Sequence, residues 1–357
     1  MTNERFSQLS EKYRQFFLDE SKGQILCTIC PYTFALDYKK LGFSRTRLDS
    51  WDFSTQAREF IKYQVDKNRA FMDYTRDLDN DYFPAMGVNL GYGAHSAYFS
   101  GAEVIMGAET SWTHPVLTDW ANLDQLKMDE NNYWYRKILE MYGYLLEFCE
   151  GDYALSAFSN AGPGDMANAI RGNDLFYDLI DEPEKVHQLM DKCVDAVIWL
   201  ETKIREIAGY VNGGTVTANV WFPNQAPYLS EDFNDLCSDE MYRKFGYRHT
   251  QRILNHFGGA FIHHHAKGFQ IHKSIATLKS LNLLEISLDP NCDRPIDHIE
   301  EIFEMNNGVP LMVRCHARDL KTHIDRLKQG RVVIMLNIDN LEEGKEAMKL
   351  IRKNSII

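Results

Sequence analysis

The chain has 357 residues, 44% hydrophobic and 25% charged, ordinary globular proportions that leave no room for long disorder. Its formal net charge of −12 argues against a generic nucleic-acid or anionic-membrane surface, since phosphate binding concentrates Lys and Arg. No apolar run of roughly 18 residues occurs, and the charged, amphipathic start MTNERFSQLSEKYRQFF lacks a signal-peptide core, so a cytoplasmic location is expected.

After this helical leader, eight β-rich runs are predicted at 24–32, 82–90, 153–160, 214–222, 260–266, 283–289, 309–316 and 332–339. Each is followed by a stretch long enough for a helix, and that alternation implies parallel strands joined by crossovers. Eight such units predict one (β/α)8 TIM barrel, with an open doubly wound sheet as the alternative. The strongest predicted helix spans 182–209, where Val186, Leu189, Met190, Cys193, Val194 and Val197 follow the spacing of one buried face between Pro183 and Gly209. The segment 91–132 breaks the alternation, is rich in Gly, Tyr and Trp, and predicts a long loop insertion over the barrel mouth. No repeat or linker divides the chain, so a single domain is expected over 1–357. Its cysteines, at 27, 30, 149, 193, 237, 292 and 315, are an odd and scattered set that reads as mostly reduced thiols. Cys27-x-x-Cys30 has no second such pair and reads as core.

Chemistry concentrates in His263-His264-His265 at the end of the fifth predicted strand. Strand alternation puts His263 and His265 on one face and His264 on the other. Imidazole is the commonest metal ligand, so the pair is a plausible half of a site for zinc or another divalent metal. Cys315, His316, Asp289 and Glu109 are the candidates for a third ligand, Cys315 first. Two other readings stand beside it: metal-free acid/base or anion-binding work, and a structural group of mutually hydrogen-bonded polar residues. Asn160 to Asp165, with two glycines, follows the third strand, where they serve either close approach to a ligand or a tight βα turn. Asn219, Trp221, Phe222 and Tyr228 flank the end of the fourth strand, and Tyr92, His95, Glu109 and Trp112 lie in the long loop; aromatics with a few polar groups suit a small-molecule site. Arg171, Arg294, Arg314 and Arg318 are candidate carboxylate clamps, with Arg314 and Arg318 near a strand end.

Gly162-Pro163, Ile170-Arg171-Gly172 and the run from Leu175 to His187 resemble the uroporphyrinogen decarboxylase superfamily, which includes the cobamide-dependent coenzyme M methyltransferases. The resemblance covers roughly 80–353 and implies a (β/α)8 barrel. The decarboxylases carry an Arg-rich segment after the first strand, where this chain has Tyr32-Thr33-Phe34-Ala35-Leu36-Asp37 without arginine. The methyltransferases carry zinc on His-x-Cys-Gly and a later cysteine; here His263-x-His265 replaces the first, and Asn337 stands where the second would fall. The resemblance thus implies a divergent, metal-assisted methyltransferase, with His263, His265 and Cys315 on zinc or another divalent metal and a methylated corrinoid as co-substrate. Catalytic candidates are His263, His265, Glu109, Asp289 and Tyr228; substrate contacts are expected from Tyr92, His95, Trp112, Asn160, Asn219, Trp221 and Arg314. Expected partners are a small-molecule substrate, a corrinoid protein and a second copy of the chain as a homodimer. A decarboxylase of a porphyrinogen-like substrate, holding carboxylates with arginines, and a non-catalytic tetrapyrrole- or corrinoid-binding protein are the alternatives.

Overall fold

The computed structural model describes residues 4–30, 36–44 and 47–357; Tyr32 to Ala35 of the arginine-free segment lie outside them. The chain is a mixed α/β protein built on strands β1 (Gln24–Ile29), β2 (Ala85–Met86), β3 (Val104–Met106), β4 (Ser111–Thr113), β5 (Ala154–Leu155), β6 (Ser159–Ala161), β7 (Thr215–Thr217), β8 (Val220–Phe222), β9 (Tyr228–Ser230), β10 (Ala260–His264), β11 (Leu281–Ile286), β12 (Leu311–His316) and β13 (Arg331–Asn337). A seven-stranded sheet runs in the order β1-β13-β12-β11-β10-β9-β6, every neighbouring pair parallel. β2 and β5 form a second parallel pair. One hydrogen bond, from Asp81 N to Cys27 O at 2.6 Å, ties the segment before β2 to β1, and the chain runs on from β5 into β6 at the other end of the main sheet.

Two residue layers follow from strand alternation. One face packs Leu26, Phe83, Ala154, Phe261, Leu283, Met312 and Val333 into a single inner cluster. The opposite face turns Ile25, Cys27, Ile29, Val313, Cys315, Ile334 and Leu336 toward helices such as Leu320–Leu327 and Leu341–Asn354. Helix Glu4–Leu18, the expected leader, adds Leu9, Tyr13 and Phe16 to the inner cluster. Each buried apolar side chain of this kind contributes roughly 1.5–3 kcal/mol. The helix predicted over 182–209 forms at Pro183–Ala208. Among the described residues no disulfide forms, and no helix is long and apolar enough to cross a membrane.

The fourth predicted strand requires correction. Thr215–Thr217 lies against the third, with Ala157 N donating to Val216 O at 2.9 Å. Ala218 and Asn219 then both take positive φ (49° and 59°), the geometry of a two-residue hairpin turn. The chain returns antiparallel as β8, and parallel pairing with β6 and β10 resumes at Tyr228–Ser230. An apolar run that is β-rich throughout carried no local signal of this reversal beyond Asn219.

The link between β1 and the 81–86 segment is electrostatic as well. Asp81, 1% exposed, accepts from Cys27 N and Lys12 Nζ at 2.7 Å each and from both terminal nitrogens of Arg352 at 2.9 Å. Asp81→Ala leaves two cations and a backbone N–H facing a void, and a loss on the order of 3–5 kcal/mol of unfolding free energy is expected. Urea unfolding checks this; a loss below about 1 kcal/mol would count against a structural role.

Candidate metal centre

His263 lies two residues beyond Phe261 and shares its inner face, while His264 faces the helix layer, with its Nε2 2.9 Å from His272 Nδ1. His265 follows the strand end, and its ring returns beside that of His263, centres 5.1 Å apart and planes at 81°. The alternation expected from the sequence thus separates His264 from the other two.

Both inner imidazoles are held at Nδ1. Glu285 stands in register with His263 on the next strand, and its Oε2 lies 2.9 Å from His263 Nδ1. Asp289 Oδ1 lies 2.7 Å from His265 Nδ1, and its Oδ2 accepts Ala266 N at 2.8 Å. Ser287 Oγ donates to Asp289 Oδ1 at 2.7 Å. A carboxylate at Nδ1 favours the proton there and leaves the Nε2 lone pair outward, the usual support of a metal-binding histidine. Burial raises the Glu285 carboxyl, but Arg314, whose Nε donates at 2.5 Å, and then His263 outweigh it and hold it at about 2.

The two Nε2 atoms converge on Asp232, a residue the sequence reading did not single out. Asp232 Oδ1 lies 4.0 Å from His263 Nε2 and 3.4 Å from His265 Nε2. One ligand atom from each residue lies within 4.8 Å of the other two. Asp232 Oδ1 is buried and accepts no hydrogen bond among the described residues. Its position is built by the turn after β9: buried Asp165 accepts Ser230 Oγ and Phe233 N at 2.5 Å each, and Glu231 N donates to His263 O at 2.9 Å. Burial, then Asp232, pushes the Asp165 carboxyl upward. Without a metal, Asp232 and next Asp289 outweigh burial and push His265 up to about 10. Two imidazole nitrogens and one carboxylate oxygen are a donor set suited to a divalent first-row metal, with positions left for other ligands.

The remaining expected residues divide. Tyr228 stacks on His263 with centres 6.2 Å apart and planes at 23°. Burial, then Asp165 and Asp232, pushes the Tyr92 hydroxyl up, whereas burial lowers His95 to about 4 against the pull of Asp232. Arg314 and Asp289 serve through Glu285 and His265. Cys315 is not brought to the pair: one residue beyond Arg314, it falls on the helix-facing side, 1% exposed among Cys27, Ile29 and Leu320. Asn160 likewise faces outward, donating to buried Glu201 of the long helix at 3.1 Å. Trp221 is fully buried against the leader helix, its Nε1 donating to Val211 O at 2.7 Å. Asn219 donates to Phe83 O and Ala85 O at 3.1 Å. With exposed Glu109 it lines a separate cavity of about 290 Å³ that includes none of Asp232, His263 and His265. Trp112 is 46% exposed on the β3–β4 hairpin, which, with helix Ala94–Ser100, gives the expected insertion its own structure. The glycines at 162 and 164 serve packing: a Cβ at 162 would sit 2.1 Å from Ser230 O, one at 164 2.8 Å from Asn234 Nδ2. Arg171 and Arg294 are tied to Asp178 and to Asp297 and Asp319, and Arg318 is exposed.

Compared with known proteins, the chain matches no protein-family model and no curated protein sequence.

Linkage gives a test on metal-free protein. A raised His265 stabilises the fold fully below its ordinary value of 6.5, and that contribution is lost as pH rises through about 10. The unfolding free-energy difference between the native chain and His265→Gln is therefore expected to shrink over this interval in urea titrations of chelator-treated protein. A pH-independent difference would refute the ion pairs with Asp232 and Asp289.

Proposed function

We propose that the chain is a divalent-metal enzyme on a closed (β/α)8 barrel, with Asp232, His263 and His265 as the protein ligands. The barrel reading is supported by the inner cluster, to which seven of the eight parallel segments supply a buried residue and the remaining one, β9, packs Tyr228 against it, and by the bonds from 81–86 to both β1 and β5. The metal reading is carried by one observation: two Nε2 atoms and a hydrogen-bond-free carboxylate oxygen converge while both Nδ1 atoms are already occupied by carboxylates. Without a metal, a His265–Asp232 ion pair at 3.4 Å is the competing use of the same atoms, and metal content separates the two.

The reaction proposed is methyl transfer between a corrinoid protein and a small acceptor, the chemistry suggested by the resemblance to cobamide-linked methyltransferases. A metal at these residues would lower the pKa of the acceptor's X–H group. In such a transfer the acceptor would give up that proton to water, its lone pair would form the bond to the methyl carbon, and the electron pair of the broken cobalt–carbon bond would stay with the corrinoid. Glu285 and Asp289 keep the two imidazoles oriented throughout. Tyr228 and the Tyr92–His95 turn supply aromatic surface beside them that limits water.

Elemental mass spectrometry of the purified protein is expected to find near-stoichiometric metal, lost in His263→Ala, His265→Ala and Asp232→Asn and retained in His264→Ala. Equal loss in all four would defeat the alternation argument. Metal absent from both aerobic and anaerobic preparations, with turnover that survives chelation, would instead favour metal-free decarboxylation.

A further inference from the structure

Arg314 spends only one nitrogen of its guanidinium inside the fold. Nε donates to Glu285 Oε1 at 2.5 Å, and neither Nη1 nor Nη2 has a hydrogen-bond partner among the described residues. The Arg314 side chain is 37% exposed while that of Glu285 is 1% exposed, and both terminal nitrogens are open to solvent, unlike the sealed Nη1 of Arg205. Parity settles which way the side chain leaves the sheet. Met312 belongs to the inner cluster, and Arg314, two residues further along β12, shares its face, as His263 shares that of Phe261 and Glu285 that of Leu283. A single carboxylate therefore separates the guanidinium from His263, its Oε2 lying 2.9 Å from Nδ1. The other acids around the centre are committed elsewhere. Asp289 holds His265 Nδ1, Ala266 N and Ser287 Oγ; Asp165 holds Ser230 Oγ and Phe233 N; Asp232 faces the two Nε2 atoms. Among the described residues, no carboxylate besides Glu285 lies within 4.0 Å of the Arg314 guanidinium.

We propose that the acceptor bound at this centre carries a carboxylate, and that Arg314 selects it, gripping the two oxygens through Nη1 and Nη2 while Nε stays on Glu285. This rests on the metal reading above. Net charge does not decide the ligand class, because Asp232, Glu285 and Asp289 together offset a divalent ion and Arg314. Direction decides it. Nη1 and Nη2 form a planar fork of N–H donors that matches a carboxylate in bidentate fashion, and a guanidinium gives up its weakly held water readily. With Nε fixed on Glu285 the fork is already oriented, so little side-chain freedom is lost when a carboxylate docks. An acceptor with a neutral tail would leave the fork to water.

The test uses the full chain loaded with cobalt(II), with visible absorption of the cobalt as the readout. Two matched probe series are titrated: the monohydroxamates of malonic, succinic, glutaric and adipic acid, whose hydroxamate takes the metal and whose tail ends in a carboxylate, and the same compounds with that carboxylate replaced by a primary amide. The native chain is expected to hold one cobalt and, at the tail length that spans the two groups, to bind the acid on the order of tenfold more tightly than the amide. Arg314→Gln is expected to remove this preference. A loss that travels through Glu285 and His263 weakens both probes alike, so the ratio of the two affinities reads the tail contact alone. Arg314→Gln leaves Glu285 buried without its cation. The double variant, Glu285→Gln with Arg314→Gln, keeps an oxygen to accept from His263 Nδ1 and decides the matter if the single variant unfolds. A native chain that binds acid and amide equally at every tail length would overturn the proposal, as would a preference that survives in variants with native melting curves. Failure of the native chain to hold cobalt would instead defeat the metal reading itself, and the proposal with it.

Discussion

Two carboxylates at two Nδ1 atoms determine what this centre can be. An imidazole has only two nitrogens, and once Glu285 and Asp289 hold one on each ring, the other on each is committed to a direction. Those directions meet at Asp232. The carboxylates come from the strand and strand end following β10, so the site depends on the β10–β11 register. His263 opposite Glu285 is a single pairing in that ladder, and a slip of one residue would exchange Glu285 for an apolar neighbour and turn it to the helices.

Burying Glu285 in this register is expensive unless its charge is matched. Its oxygens divide between His263 and Arg314, and Arg314 comes from the third strand in the row, paired to Met335 on the fourth. Removal of Arg314 would leave Glu285 to His263 alone and strengthen its hold on the Nδ1 proton. Arg314 thereby acts on His263 through a carboxylate, without touching the imidazole cluster itself. The same logic explains Asp165 and Glu231, which cost burial energy to fix the turn carrying Asp232.

Much of this was legible from local pattern. Alternation alone separated His264 from its neighbours, and a strand end rich in histidine marked where the imidazole cluster lies. The α/β class and the long helix at Pro183–Ala208 followed from period and punctuation. Asp232 was missed because the fourth strand was expected at 214–222, so the carboxyl end of the true segment at Tyr228–Ser230 was read as flanking loop. Glu285 did carry a signal: a lone charge within an apolar strand, two residues from Leu283, must face the interior with a partner. Asn160 and Cys315 were misplaced by counting nearness to a strand end while neglecting parity, which sends both to the helix layer. Tertiary packing decided Trp221, since no local feature distinguishes an aromatic at a mouth from one against a leader helix.

The exchange of Cys315 for Asp232 changes the chemistry that such a centre favours. Thiolates are soft and donate strongly, and two of them with one imidazole would leave a divalent ion close to anionic. Two imidazoles and one carboxylate carry a single negative charge in harder donors, so the same ion stays a stronger Lewis acid and is open to a wider choice of first-row metals. That balance also sets the direction of the surrounding charges. Glu285 is neutralised by Arg314 and burial pushes Asp165 toward its neutral form, so neither would weaken a bound metal's pull as a free anion would. On the proposed reading, a metal held there would act best on an acceptor that develops negative charge as a proton leaves.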